Sequence, residues 1–222
     1  MTDLSAPARD IFPEFNTIPR LFEEEVRGLP KAALARHRPE KGWGGWSISE
    51  QVSHAAWIPY LIFCVIWRET LFGDETPPHL DRTDTGGADR MLDPGRFYEM
   101  PNLLGALGDG FALGWILLGR ETLGSMREKV LARDVNPDRQ WATGERVIDY
   151  FEQLVAPAHK VGLRRDENDP YIFHQTFECA MRHIIWEALV HLKTIQMHKA
   201  AEGLPTRPPV SEKGYVKLLE WD

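Results

Sequence analysis

Cysteine is scarce in this chain of 222 residues: Cys64 and Cys179 are the only two, and each lies inside an apolar helical pattern. That excludes a disulfide framework and points to a reducing compartment, with both thiols serving as small buried hydrophobes. Basic charge is also in deficit. The 33 acidic residues exceed the 26 basic ones, for a formal net charge of -7. Such a surface repels the phosphate backbone on which general nucleic-acid affinity depends, so nucleic acid is not an expected partner. Long hydrophobic runs are missing. The segment that could mislead, Ala55 to Trp67 (AAWIPYLIFCVIW), is thirteen residues long, short of the ~20 needed to cross a bilayer. It reads as a buried helix, and no membrane is expected. Met1 to Phe15 carry Asp3, Asp10 and Glu14 without an apolar stretch, so no signal peptide and a cytoplasmic location are expected. Neither internal repeats nor coiled-coil heptads are visible, and no alternating run demands a β-sheet.

What is present suits a globular core: 43% hydrophobic residues, with eight Trp and ten Phe. The length fits one domain over residues 1–222. Four long helical segments predict an all-α, four-helix fold. The first begins at Thr17 as N-cap, with Pro19 in the first turn and Ile18, Leu21, Phe22 and Val26 forming an apolar stripe. Gly28-Leu29-Pro30 breaks it, and Lys31 to His37 adds a short piece before a turn from Pro39 to Gly45. The second opens on Ser47-Ile48-Ser49-Glu50, a capping box in which serine and glutamate satisfy each other's backbone donors, and runs to about Leu71. Pro59 removes its bond to the Ala55 carbonyl, so a kink is expected one turn past His54. The third covers Leu104 to Arg133, where Gly105, Gly108, Gly110, Gly114, Gly119 and Gly124 lower helix propensity or permit close packing. The fourth runs from Gln175 to Glu202 and stops at Gly203-Leu204-Pro205; a tail with Tyr215 and Trp221 follows.

Two insertions separate these helices, at about 73–105 and 134–172. The first is rich in Pro, Gly and Asp and reads either as a mobile lid or as an ordered segment packed by Phe97 and Tyr98. The second holds one amphipathic piece, Glu145 to Val155, with Val147, Ile148, Phe151, Leu154 and Val155 on one face.

The chemistry concentrates on the fourth helix. His183, Glu187, His191 and His198 are spaced by four, four and seven residues, which stacks them in one stripe of an α-helix. Their neighbours Ile184, Ile185, Leu189, Val190, Leu192 and Ile195 are apolar, so Glu187 lies near the core, where an unpaired carboxylate costs several kcal/mol. No Lys or Arg stands three or four residues away to neutralise it, which leaves a partner helix, a histidine or a metal ion. His54 is the best external candidate, because it shares a stripe of the second helix with Trp57, Ile58, Leu61 and Val65. Two imidazoles and one carboxylate suit a zinc site with an open position, and equally a non-haem iron site. The same spacing also suits a plain Glu–His hydrogen bond with His54 as a core histidine. His183 reads as a pocket or proton-transfer residue and His198 as a helix-end group complementing the dipole.

Trp46-Ser47-Ile48-Ser49-Glu50-Gln51-Val52-Ser53-His54 resembles the helix signature of the DinB/YfiT-like family, a Trp-Ser opening, an acidic residue and then the first ligand histidine. His191, Met197-His198, Gly203 and Pro205 fall in the register of that family's final helix, with its His-x-x-x-His pair, Arg-Gly-Gln-Ile segment and Gly-x-Pro end. Two departures stand out: Glu187 replaces the first histidine of the pair, and Leu192-Lys193-Thr194 replaces Arg-Gly-Gln. The carboxylate is similar to the His/Glu/His zinc set of the mycothiol-dependent maleylpyruvate isomerase branch. The likeness covers residues 34–67 and 175–205. It implies a four-helix bundle of the DinB/YfiT-like type holding one divalent metal on His54, Glu187 and His191, zinc first, with nickel, iron or manganese as alternatives.

The resemblance further implies a metal-dependent thiol transferase or isomerase that uses a low-molecular-weight thiol on a small-molecule substrate, with His183 in proton transfer or orientation. Trp57, Trp186 and Thr194 are the expected substrate-pocket residues. A hydrolase that activates water is an alternative, and so is a non-catalytic dimeric binding or stress-related module; the aromatic content suits a homodimer as well as a large core. A thiol enzyme also calls for a cationic patch near the metal, and Arg164-Arg165 is the one paired-arginine loop site, though a solvated charge pair explains it as well.

Overall fold

A computed structural model describes residues 2–38 and 44–219. Trp221 and most of the expected Pro39–Gly45 turn lie outside these residues. The chain is mainly helical, with one small sheet.

Helix α1 spans Ile18–Val26 and buries Ile18, Phe22, Glu25 and Val26. Thr17 stands at its N-cap without capping it, because its hydroxyl donates to the Glu14 carbonyl instead. Helix α2, Ile48–Tyr60, opens on the expected capping box: Ser47 Oγ accepts from Glu50 N, and Glu50 Oε2 from Ser47 N at 2.8 Å. Pro59 has no N–H for the helical ladder. The chain answers two residues later by widening into a π-helical turn, Leu61–Ile66, closed by Trp67 N donating five residues back to Ile62 O. A last α-helical stretch, Arg68–Phe72, ends at Gly73 with φ 57°.

Helix α3 spans Met100–Leu118, so the helix expected to reach Arg133 stops fifteen residues early. After a turn, Thr122 and Ser125 cap each other reciprocally to start α4, Leu123–Glu128. Strand β1, Val130–Asp134, follows. It pairs antiparallel with β3, Ile172–Thr176, which also pairs with β2, Leu163–Arg165. The order is β1-β3-β2, and the all-α expectation is corrected accordingly. These strands carry three to five residues each, too few for a period-two pattern to stand out. In β3 the inward positions are Phe173 and Gln175, and a buried Gln does not look like half of an apolar alternation. Thr176 then caps helix α6, Phe177–Ala201, by accepting from Cys179 N. The helix stops where expected: Gly203 has φ 69°, and Leu204 N reaches back to Lys199 O.

Helices α1, α2, α3 and α6 share the main core, α2 packing on both α3 and α6, and α1 on both as well. Phe12, Phe15, Phe22, Phe63 and Phe111 are fully buried in it, each contributing about 1.5–3 kcal/mol by leaving water. Two glycines let α3 pack closely, Gly110 against α2 and Gly114 against the segment before α1. A Cβ on Gly110 would meet Pro59 Cβ at 3.1 Å, and one on Gly114 would overlap Phe15 Cε1 at 2.3 Å. Helix α6 is tied to α1 by Lys199, whose Nζ pairs with the Glu25 carboxylate and donates to the Glu25 carbonyl, all fully buried.

A second, smaller core joins the sheet to helix α5, Val147–Tyr150, and its π-helical extension Phe151–Val155. The expected amphipathic face appears there: Val147, Ile148, Phe151 and Val155 are buried, and Leu154 is half-buried. The first insertion is ordered, packed by buried Leu92, whose N–H donates to Ser53 Oγ, and by Phe97, while Tyr98 is exposed. Among the described residues one helix, α3, passes a length-and-composition test for crossing a membrane, at mean hydropathy 1.3. Half of it is buried inside the protein, with the Tyr60 hydroxyl of α2 donating to its Ala106 carbonyl.

Gly114→Ala is expected to cost about 1–3 kcal/mol through overpacking against Phe15. Gly105→Ala, where a Cβ meets nothing within 4 Å, is expected to add about 0.5–1 kcal/mol. Urea denaturation of the two variants checks the contrast.

Candidate metal centre

His54 projects from the second turn of α2, and Glu187 and His191 from consecutive turns of α6, where it packs against α2. All three are buried. His54 Nε2 lies 3.7 Å and His191 Nε2 3.5 Å from Glu187 Oε2, and the ligand atoms of the trio fall within 4.8 Å of one another. Three ligands about 2.1 Å from a tetrahedral ion stand roughly 3.4 Å apart, so the group needs little adjustment to hold one.

The hydrogen bonds behind the imidazoles decide what faces inward. His54 Nδ1 lies 2.6 Å from the Arg90 carbonyl oxygen. A carbonyl only accepts, so Nδ1 carries a proton and, in the neutral tautomer, Nε2 presents its lone pair. His191 Nδ1 lies 2.5 Å from Gln51 Oε1, while Gln51 Nε2 donates to the Trp46 carbonyl. That second bond fixes the amide, so His191 also donates from Nδ1 and presents Nε2 as a lone pair. Burial, reinforced by His54, lowers the His191 pKa to about 4, which keeps the ring neutral at pH 7. Two lone pairs and one ionised oxygen therefore converge with no proton between them, an arrangement a divalent cation satisfies.

The other carboxylate oxygen is held from the opposite side. The Tyr150 hydroxyl donates to Glu187 Oε1, and His183 Nε2 is 3.9 Å from the same oxygen. His183 Nδ1 meets the Tyr215 hydroxyl at 2.5 Å, and that hydroxyl also meets His159 Nε2 at 2.9 Å. Burial pushes Tyr150 well above its usual pKa, with Glu187 adding to the effect, so its hydroxyl remains a donor. Burial lowers the His183 pKa to about 4 and the His159 pKa to about 3.

Beside this cluster opens a cavity of about 800 Å³. Trp57 and His183 line it together with the three candidate ligands. Trp57 Nε1 has no hydrogen-bond partner among the described residues. Trp186 and Thr194, expected in the pocket, do not line it: Trp186 stacks on His159 at 4.4 Å, and the Thr194 hydroxyl turns back to the Val190 carbonyl. They sit beside the ligands in sequence, but the helix carries their side chains off the cavity side. The Arg164-Arg165 pair is also elsewhere, on exposed β2, where Arg165 pairs with Glu152. His198 is buried, its Nε2 bonded to the Gly44 carbonyl at 2.7 Å, so it fastens a loop rather than standing free at the helix end.

Sequence reading missed Gln51, Arg90 and Tyr150. Gln51 stood three residues before His54 in the same helix and could have been found. The other two reach the site from the insertions, where no local pattern marks them. Compared with known proteins, the chain matches no family model, no curated protein and no solved structure.

A buried histidine with a depressed pKa makes stability depend on pH. The unfolded ring takes up its proton near 6.5 and folded His159 near 3, so the unfolded state binds more protons in between. Stability is then complete above pH 6.5 and is lost as pH falls through that window. The melting temperature is expected to drop between pH 6.5 and about 4.5, above the main carboxylate range, and His159→Phe is expected to flatten that slope in a pH series.

Proposed function

We propose that the protein is a divalent-metal-dependent enzyme of the DinB/YfiT-like type, in which His54, Glu187 and His191 hold the ion, zinc in first place. The observation that carries this reading is the convergence of His54 Nε2, His191 Nε2 and Glu187 Oε2 as three buried acceptors. The shared core of α1, α2, α3 and α6 supports the four-helix-bundle resemblance; the sheet and both insertions are this chain's additions to it.

A divalent ion held there supplies Lewis acidity, bringing the pKa of a thiol or water toward neutrality. The chain's own groups do the rest. Tyr150 holds Glu187 Oε1 and so keeps Oε2 turned to the imidazoles. His183, neutral and lining the cavity, relays toward solvent the proton that the incoming nucleophile gives up, its depressed pKa keeping it from retaining that proton. That nucleophile is imported, because burial pushes the Cys64 thiol up to about 11 and the Cys179 thiol up to about 12, leaving both protonated and inert. A cavity of about 800 Å³ has room for a small substrate together with a low-molecular-weight thiol. This favours thiol transfer, or isomerisation assisted by a thiol, over simple hydrolysis.

Purified protein is expected to bind about one zinc per chain, and a hundredfold excess over Kd to stabilise it by about 2.7 kcal/mol. His54→Ala and Glu187→Ala should fold and lose the metal. Stoichiometric metal retained by both variants in elemental analysis would refute the ligand set. With cobalt in place of zinc, a small thiol such as dithiothreitol is expected to produce a sulfur-to-metal absorption band, and its absence would remove the thiol assignment while leaving the metal site.

A further inference from the structure

The cavity beside the metal centre contains an arginine that forms no ion pair among the described residues. Arg133, on β1, lines it and is half-buried. Its guanidinium lies over the Phe151 ring at 4.9 Å and reaches Gln175 Oε1 only at 3.4 Å. Burial holds its pKa below the usual arginine value. The cavity's other inner arginine differs. Arg90 pairs with Asp89 at 3.0 Å, approaches Glu145 at 4.0 Å and lies over the rings of Trp141 and Trp46. It is committed, and Arg133 is not.

We propose that Arg133 anchors the carboxylate of a singly charged substrate with an apolar or aromatic body. The planar guanidinium matches a carboxylate in a bidentate fork. One guanidinium without an ion pair suits one negative head group, and Asp134 and Glu145, which line the same cavity, disfavour a dianion such as a phosphate ester. Trp57, Ile62, Trp141, Phe151 and Leu154 give the walls for the apolar body. Arg139 is exposed, so it draws anions toward the cavity without holding them tightly. Arg133 and His183 line the same cavity, so a molecule held at one end by the guanidinium shares the space beside the candidate ligands. This assignment deepens the metal-enzyme reading by naming its substrate class, and rests on that reading only for which end of the substrate reacts.

The test is a tryptophan-fluorescence titration with 3-phenylpropionate, its neutral amide and phenyl phosphate. It uses the wild type, Arg133→Gln, Arg133→Lys and the surface control Arg164→Gln, each zinc-free and zinc-loaded. The expected result is binding of the acid weakened about tenfold or more in Arg133→Gln, the loss of one charge-assisted contact. Arg133→Lys should restore part of it, and Arg164→Gln should match the wild type. The amide should bind the wild type no better than the acid binds Arg133→Gln; this comparison needs no variant and stands even where Arg133→Gln does not fold. Equal affinity for acid and amide, preference for phenyl phosphate, or no binding of the acid at millimolar concentration overturns the proposal. Zinc uptake without Arg133 dependence defeats this inference and spares the metal site; Arg133 dependence without zinc uptake does the reverse.

Discussion

Three acceptor atoms aimed at one another in a buried place are the constraint around which this structure is arranged. Lone pairs on His54 and His191 and an ionised oxygen of Glu187 repel each other, and all three groups are largely withdrawn from solvent. The arrangement persists because each group is gripped from behind: His54 by a main-chain carbonyl, His191 by Gln51, Glu187 by Tyr150. Each grip comes from a different part of the chain. The first insertion, the start of α2 and helix α5 must therefore all be in place before the trio can exist.

The fold is shaped to permit this. Gly110 brings α3 against α2, Gly114 brings it so close to Phe15 that a methyl group would not fit, and the buried Lys199–Glu25 pair sets α6 against α1. Between these contacts α2 faces α6 squarely enough for one turn of each to meet. The π-helical turn after Pro59 widens α2 just beyond His54, and Leu61, Ile62, Val65 and Ile66 from that turn form part of the cavity wall. A regular helix would distribute those side chains over a different face. The proline that weakens the helix thus also helps to shape the space beside the candidate site.

Much of the helical framework could be read in the sequence because its signals are local. Ser47 and Glu50 capped a helix where the capping box said they would, Gly203 ended one, and the four-residue spacing of Glu187 and His191 placed them on one stripe. The strands could not be read, because β1 and β3 owe their conformation to each other across some forty residues of chain and not to any pattern within themselves. The helical reading ran through Val130 to Arg133 for that reason. The candidate ligands announced themselves as polar groups on apolar helices. Tyr150 and Arg90 could not, since one is a tyrosine on an ordinary amphipathic piece and the other contributes a backbone atom that every residue possesses. Trp186 and Thr194 show the opposite failure: nearness in sequence to a ligand does not decide which way a helical side chain faces.

The bond from His54 to the Arg90 carbonyl sets a limit on how the site can vary. Arg90 holds φ 58°, a left-handed backbone that a residue with a side chain adopts at some cost, and its guanidinium is fixed over Trp46 and Trp141. Changing the side chain of residue 90 leaves the acceptor itself in place, because the acceptor is main chain. What releases His54 is displacement of the segment that carries it. Orientation of this imidazole is thereby coupled to the seating of the insertion between α2 and α3, so any motion that lifts that segment also frees the ring to turn.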